Sequence, residues 1–377
     1  PRGAAHSGAE LWLASLGPVP LRLSQCHSAG MDASADTIPT ALLDWYDSQA
    51  RVLPWRSLPG APAPEPYRVW LSEVMLQQTT VAAVGPYFAK FLARWPTVSD
   101  LAAAEDAEVM AAWAGLGYYA RARNLLACAR AVAARGGSFP ETEAELRALP
   151  GLGAYTAAAV AAIAFGQPAT VVDANVERVI ARLYAIDEPL PAARKPIRVR
   201  AERLTPAKRP GDFAQAMMDL GATVCTPRNP RCLLCPLADH CIGRRDGAER
   251  FPVKPAKAAK PQRKGRAFWI TRDHAVWLVQ RPGLGMLGGM RALPDDGWSA
   301  RSDGSAIAPL VGTWSAAGLV RHSFTHFDLD LQLMLYSGGD LDRLEGDSGE
   351  WWPLDRIAEA GLPTLFAKAA RLALAQR

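Results

Sequence analysis

The chain has 377 residues, 49% of them hydrophobic, enough to bury sizeable cores in two domains. A net charge of +5 and a pI near 9.0 favour a polyanionic partner, although many basic enzymes never touch nucleic acid. No apolar run reaches the roughly 18 residues that span a bilayer, so a helical membrane span is excluded.

Residues 1–30 lack an initiating Met, are rich in Gly, Ala and Pro, and include LWLASLGPVPL, an apolar core with neither a basic start nor a small-residue cleavage site. Residues 1–35 are expected to be a disordered or misassigned leader, with Met31 as the true start. From there to residue 242 the rhythm is helical. Alanine-rich amphipathic stretches at 99–114, 120–135 and 141–148 are punctuated by Gly and Pro, and no alternating pattern competes with them. An all-helical domain over 36–242 is predicted.

Three features inside it bear on chemistry. In LPGLGAYTAAAVAAIAF, Pro150 stops one helix, Gly151 and Gly153 form a tight turn, and a new helix opens with free backbone N–H groups. Such a turn can bind a phosphate, although taken alone it is an ordinary connection between helices. In TVVDANVERVIARL, Asp173 stands just before an amphipathic helix, where a carboxylate normally caps an N–H such as that of Val176. Cys225, Cys232, Cys235 and Cys241 then form C-x6-C-x2-C-x5-C, with Arg228 and Arg231 in the enclosed segment. Four thiolates suit tetrahedral zinc or an iron–sulfur cluster, and the wide outer spacing favours a cubane cluster over the two matched C-x2-C pairs usual for zinc. A disulfide framework is the less expected alternative in so long a chain. A rigid metal-thiolate loop would push both arginines outward, to hold nucleic acid.

Residues 243–266, RRDGAERFPVKPAKAAKPQRKGR and its neighbours, are too basic and proline-rich to build a core and read as an interdomain linker. Beyond them, AFWITRDHAVWLVQRP and FDLDLQLMLYSG read as strands and 363–375 as a terminal helix, giving a mixed α+β domain over 267–377.

The order hairpin, Asp173, cysteine loop resembles the helix-hairpin-helix base-excision DNA glycosylases that carry an iron–sulfur loop. The narrower resemblance is to the MutY-type adenine DNA glycosylases. It rests on LPWR at 53–56, PYRVWLSEVMLQQT at 66–79, GLGYYARARNL at 115–125, LPGLGAYTA at 149–157, VVDANVERV at 171–179 and GATVCTPRNPRCLLCPL at 221–237. It implies a [4Fe-4S] cluster on the four cysteines, action in the bacterial cytoplasm on the nucleoid, and a Nudix-like second domain; a monomer is expected, since one duplex clamped by two tethered domains needs no second copy. The substrate implied is duplex DNA with adenine opposite 8-oxoguanine or guanine.

The resemblance also implies roles. Asp173 is the essential aspartate, with Tyr155 and Asn175 lining the sugar beside it. Arg56 and Gln215 help hold the extruded adenine between Trp55 and Leu76. Gln78 and Tyr118 wedge into the duplex, and Phe324, Thr325 and His326 stand where the family places a Phe-Ser-His reader of 8-oxoguanine. Tyr155 occupies the position of the lysine nucleophile of endonuclease III-like lyases and cannot form an imine, so base removal without strand cleavage is expected. No R-E-x-x-E-E run occurs in 267–377, so recognition rather than pyrophosphate hydrolysis is expected there.

The residue types support the same chemistry. Adenine leaves only when protonated, and the sugar then develops oxocarbenium charge, so one neutral acid and one carboxylate are needed. Glu73 lies in the apolar helix WLSEVML, where burial raises its pKa; Asp173, at a helix start, meets N–H donors and the positive end of a dipole. Two other readings compete: a bifunctional endonuclease III-like lyase, and a non-catalytic iron–sulfur protein that binds DNA or carries electrons.

Overall fold

The computed structural model describes residues 33–255, 259–283, 285–339, 341, 344 and 349–376. Residues 1–32 of the expected leader lie outside them. The helical part comprises α1 (Ala33–Gln49), α2 (Pro66–Leu76), α3 (Val81–Arg94), α4 (Val98–Ala103), α5 (Asp106–Trp113), α6 (Ala120–Ala133), α7 (Glu143–Arg147), α8 (Ala154–Phe165), α9 (Ala174–Leu183), α10 (Arg194–Leu204) and α11 (Pro210–Thr223). No helix among the described residues is long and apolar enough to cross a membrane.

α2, α8 and α11 form the centre, which is why they are apolar nearly all round. Pro66 starts α2 with its φ already set for a helix, and Tyr67 and Val69 through Met75 are buried. α8 is built of small residues so that α11 can come close: a Cβ on Gly211 would lie 2.5 Å from the Ala162 carbonyl oxygen. α9 is strongly amphipathic and lays Val176, Val179, Ile180 and Leu183 against α11.

The stretch expected as one helix over 99–114 is two, α4 and α5, with Ala104 extended between them (ψ 147°). A distant side chain spans the break. Arg130 of α6 donates to the Ala102 and Ala104 carbonyls at 3.3 and 3.1 Å and pairs with Asp106 at 2.8 Å, so one guanidinium closes α4 and opens α5.

The described residues of the second part form two sheets. In the first, β1 (Gln262–Trp269) runs parallel to β6 (Asp328–Tyr336), which pairs antiparallel with β5 (Trp314–Ser323). In the second, β3 (Ala275–Gln280) pairs antiparallel with β2 (Thr271–Arg272), β4 (Arg291–Ala292) and β7 (Gly349–Pro353). α12 (Thr364–Leu374) packs on the first sheet through Leu365, Phe366, Ala369, Ala370 and Ala373. β1 begins inside the segment expected to be linker, because Gln262, Lys264 and Arg266 alternate outward on an edge strand while Gly265 fits under Trp298. The basic composition of that segment belongs to one strand face, not to a free tether.

The two parts meet at the loop before β4. Met290 is 1% exposed and belongs to the helical core, Leu287 packs on both cores, and Arg123 of α6 donates to the Gly288 carbonyl at 2.5 Å. Met290→Ala is therefore expected to destabilise the protein by about 2–5 kcal/mol, read as a fall in denaturation midpoint, because it opens a cavity between two packed bodies. A midpoint equal to the parent's would show that the contact contributes nothing.

Candidate active site

α2 carries Glu73 into a cleft of about 1340 Å³ whose opposite wall is the turn before α8 and the start of α9. Trp55, Arg56, Leu76 and Gln78 line it with Gly151, Gly153, Tyr155, Asp173 and Asn175, so most of the residues singled out in the helical part meet in one place. Gly151 has φ +74°, and a Cβ there would lie 2.5 Å from the Asn124 Cβ, so the turn requires glycine. Gly153 has an ordinary φ of −79° and open space where a Cβ would stand; its value to the site is room for close approach.

The carboxyls are held differently. Glu73 is 5% exposed, and the Tyr155 hydroxyl donates to its Oε2 at 2.5 Å. Burial raises its pKa; the Tyr155 hydrogen bond and the Arg56 charge pull it back, and the Asp173 charge adds to the rise. Burial, with the charges of Glu73 and Asp173, also pushes the Tyr155 hydroxyl well above its ordinary value, which keeps it a donor. Asp173 caps α9: its Oδ1 accepts from Val176 N at 2.7 Å and its Oδ2 from Asn175 Nδ2 at 2.8 Å.

Behind Asp173 the contacts continue to the cysteine loop. Asn175 Oδ1 accepts from Arg178 Nη2 at 2.9 Å, and Arg178 donates to the Gly221 carbonyl at 2.7 Å and the Cys225 carbonyl at 2.8 Å. Arg182, 1% exposed, donates to the Cys225 Sγ at 3.4 Å and to the Thr226 carbonyl at 2.7 Å. Cys225, Cys232, Cys235 and Cys241 are free thiols around one cavity. Four soft donors around a shared space are a set that suits an iron–sulfur cluster. Arg228 and Arg231 are exposed on this loop.

Other predicted residues stand apart. Gln215 is 4% exposed on α11 and does not line the cleft; its Nε2 donates to the Gly211 carbonyl at 3.3 Å, and Met218, one turn on, occupies the wall with its sulfur 3.6 Å from the Tyr155 hydroxyl. Tyr118 is 47% exposed on the turn before α6, where its hydroxyl accepts from Thr325 Oγ1 at 3.5 Å. Phe324 is half-buried and stacks on Phe327 at 4.7 Å, leaving Thr325 and His326 as the exposed part of that turn. Lys260 Nζ ties the turn's base, donating to the Phe324 carbonyl at 2.6 Å and Ser323 Oγ at 2.9 Å.

Sequence reasoning missed Asp219. Its buried Oδ1 accepts from Arg51 Nε and Arg56 Nη1, each at 2.7 Å, and this fixes the Arg56 that faces Glu73. The signal that marks Glu73, an acid inside an apolar helix, marks Asp219 as well. Arg194 and Arg198 of α10 also line the cleft, with no motif to announce them.

A helical domain with a glycine hairpin, a buried glutamic acid facing a helix-capping aspartate, and a four-cysteine loop defines a DNA base-excision glycosylase of the helix-hairpin-helix class. Residues 71–206 match the HhH-GPD superfamily base excision DNA repair proteins, 225–241 the iron–sulfur binding domain of endonuclease III, and 266–372 the NUDIX domain. The chain belongs to the adenine DNA glycosylase family: it is 34% identical to the mouse adenine DNA glycosylase over 93% of this chain and 80% of that protein. It is 45% identical to the Mycolicibacterium smegmatis adenine DNA glycosylase over 62% of this chain and 80% of that protein. It is 35% identical to the human one over 78% of this chain, spanning 65% of the human length. Among solved structures, a thermostable thymine-DNA glycosylase superposes with a TM-score of 0.51 at 30% identity, over 57% of this chain and 98% of that one. The chain thus joins an all-α glycosylase domain to a Nudix-like α+β domain.

The raised pKa of Glu73 makes a stability prediction with a definite sign. A carboxyl that holds its proton more tightly when folded contributes stability that is complete below the ordinary carboxylate range and is lost as pH rises through the folded value. Glu73→Gln carries no charge at any pH. Its melting temperature is expected to match the parent in acid and to rise above it progressively toward neutral pH. A difference independent of pH would contradict this.

Proposed function

We propose that this chain is a monofunctional adenine DNA glycosylase that acts, as a monomer, on adenine paired with 8-oxoguanine or guanine in duplex DNA. The observation that carries the reading is the single cleft in which a buried, hydrogen-bonded Glu73 faces the helix-capping Asp173.

The adenine nucleotide leaves the stack and enters between Trp55 and Leu76, with Arg56 at its edge. Glu73 gives its proton to a ring nitrogen of adenine. The bond from the sugar C1′ to the base breaks, and its electron pair leaves with a base made neutral by that proton. Asp173, held by Asn175 and the Val176 N–H, faces the cationic sugar with its carboxylate. Water then attacks C1′ and gives its proton to Glu73, which restores the acid. The Tyr155 hydroxyl, donating to Glu73 Oε2, orients the acid so that its other oxygen faces the base.

The hairpin turn at Gly151 and Gly153 offers backbone N–H groups to a phosphate, and Arg228 and Arg231 add charge on the cysteine loop. A [4Fe-4S] cluster on Cys225, Cys232, Cys235 and Cys241 would supply rigidity to that loop. Gln78 and Tyr118 fill the space left by the extruded base, and Thr325 and His326, on the turn based at Phe324, read the opposite 8-oxoguanine through its polar edge. Threonine keeps the hydroxyl of the family's serine and adds a methyl.

Single-turnover adenine release should be fastest with adenine opposite 8-oxoguanine, slower opposite guanine and slowest opposite cytosine. Glu73→Gln should lower it by roughly 10²–10⁴-fold with duplex affinity retained. Near-parental release by that variant would remove Glu73 as the acid, and a borohydride-trapped DNA adduct would return the chain to the lyase class.

The cluster has its own check. The purified protein should contain about four irons and four labile sulfides per chain and absorb broadly in the visible. One zinc and no sulfide would make the loop a zinc site.

A further inference from the structure

Gln78 and Tyr118 share an uncommon backbone. Both sit in the left-handed region, at φ +57° and +49°, which side-chain-bearing residues adopt only when their surroundings impose it. They belong to different turns, one closing α2 and the other leading into α6, and they are forty residues apart in the chain.

One side chain joins the two turns. Arg121, in the first turn of α6, is 8% exposed. Its Nη1 donates to the Val74 and Met75 carbonyls at 3.0 and 2.8 Å, in the last turn of α2. Its Nη2 donates to Thr79 Oγ1 at 2.9 Å, next to Gln78, and to the Leu116 and Gly117 carbonyls at 3.2 and 3.3 Å, next to Tyr118. The guanidinium carbon also lies 5.5 Å from the Tyr118 ring centre and 5.2 Å from that of Trp113. No carboxylate pairs with Arg121 among the described residues; carbonyl dipoles at a helix C-terminus face the charge instead. Burial pulls its pKa down to about 10, still well above neutral, so the charge is retained.

A buried cation without a counterion is expensive to keep if packing were its only purpose. Here one donor group goes to the end of α2 and the other to both turns. We propose that Arg121 is a positioning residue that locks both turns in their strained form before DNA arrives, so that Gln78 and Tyr118 stand ready to enter the duplex together. This rests on the reading of those two residues as wedges. The planar fork is needed, because an ammonium offers one point of attachment and cannot reach both turns at once.

The test compares Arg121→Lys with the parent in two measurements. In hydrogen exchange on the DNA-free protein, amides of 77–79 and 116–118 should exchange about tenfold faster in the variant, with α8 and α9 unchanged. In single-turnover release, adenine in a fully paired duplex should leave about tenfold more slowly, whereas adenine facing a gap, where extrusion is already made easy, should lose less than about twofold. Equal losses on both substrates, or unchanged exchange in the two turns, would overturn the proposal. If Arg121→Lys does not fold, Thr79→Val removes a single arm, and should loosen 77–79 alone with a smaller loss confined to the paired duplex; no loosening there counts against the proposal. Tyr118→Ala tests the wedge reading separately. Should that variant keep the parental ratio between paired and gapped substrates, the wedge reading falls, while the exchange measurement still decides whether Arg121 holds the turns.

Discussion

The burial that tightens the hold of Glu73 on its proton is the constraint that organises the helical domain. An apolar α2 buried on nearly every side raises the carboxyl's hold on its proton, and a single hydroxyl, Tyr155, fixes its direction. Burial alone would suffice to raise the pKa, but a deeply buried acid has no substrate. The cleft resolves this by leaving one side of Glu73 open between two elements that approach from far along the chain, α2 and the hairpin before α8. Arg56 limits how far the pKa rises, and Asp219 limits how freely Arg56 can move. The acid is therefore set by three layers of contacts, with Asp219 the outermost.

Arginine does most of the tying elsewhere. Arg130 spans the break between α4 and α5, Arg178 and Arg182 join α9 to the cysteine loop, and Arg121 joins two turns. In each case the acceptors are mainly backbone carbonyls. Five donors in a fixed plane can satisfy several irregular segments at once, which a helical domain with many short connections needs. An unbroken run of hydrogen bonds thus leads from Asp173, the cap of α9, through Asn175 and Arg178 to the Cys225 carbonyl at the start of the cysteine loop.

What could be read from the sequence was what depends on neighbours in sequence. The cap at Asp173, the hairpin glycines and the cysteine spacing are local, and so they stood in the residues. The helix and sheet content followed from periodicity. What escaped involves distant partners: the break at Ala104, spanned by Arg130; the strand start at Gln262, hidden by basic side chains on its outer face; and Gln215, one turn before Met218, which lines the wall instead. Met290 reads as one apolar residue among many in RPGLGMLGGMRALP, and only the docked domains show that it completes a core not its own. The family resemblance supplied roles for residues such as Tyr118, whose exposure and left-handed backbone no composition or period could have suggested.

The two domains bear on one another through more than a tether. Met290 and the Arg123 contact place the second domain against α6, the helix whose first turn carries Arg121 and whose leading turn carries Tyr118. The Thr325 hydroxyl reaches the Tyr118 hydroxyl, and Lys260, close before β1, holds the base of the turn bearing Thr325. A residue proposed to wedge the duplex and a residue proposed to read the opposite base thus touch before any DNA is bound. If both roles hold, recognition of the opposite base and extrusion of adenine share one mechanical contact, so a misread partner base would disturb the wedge directly. Adenine is an undamaged base, and an enzyme that removes it needs such coupling more than tight binding: the signal that licenses the chemistry lies on the other strand.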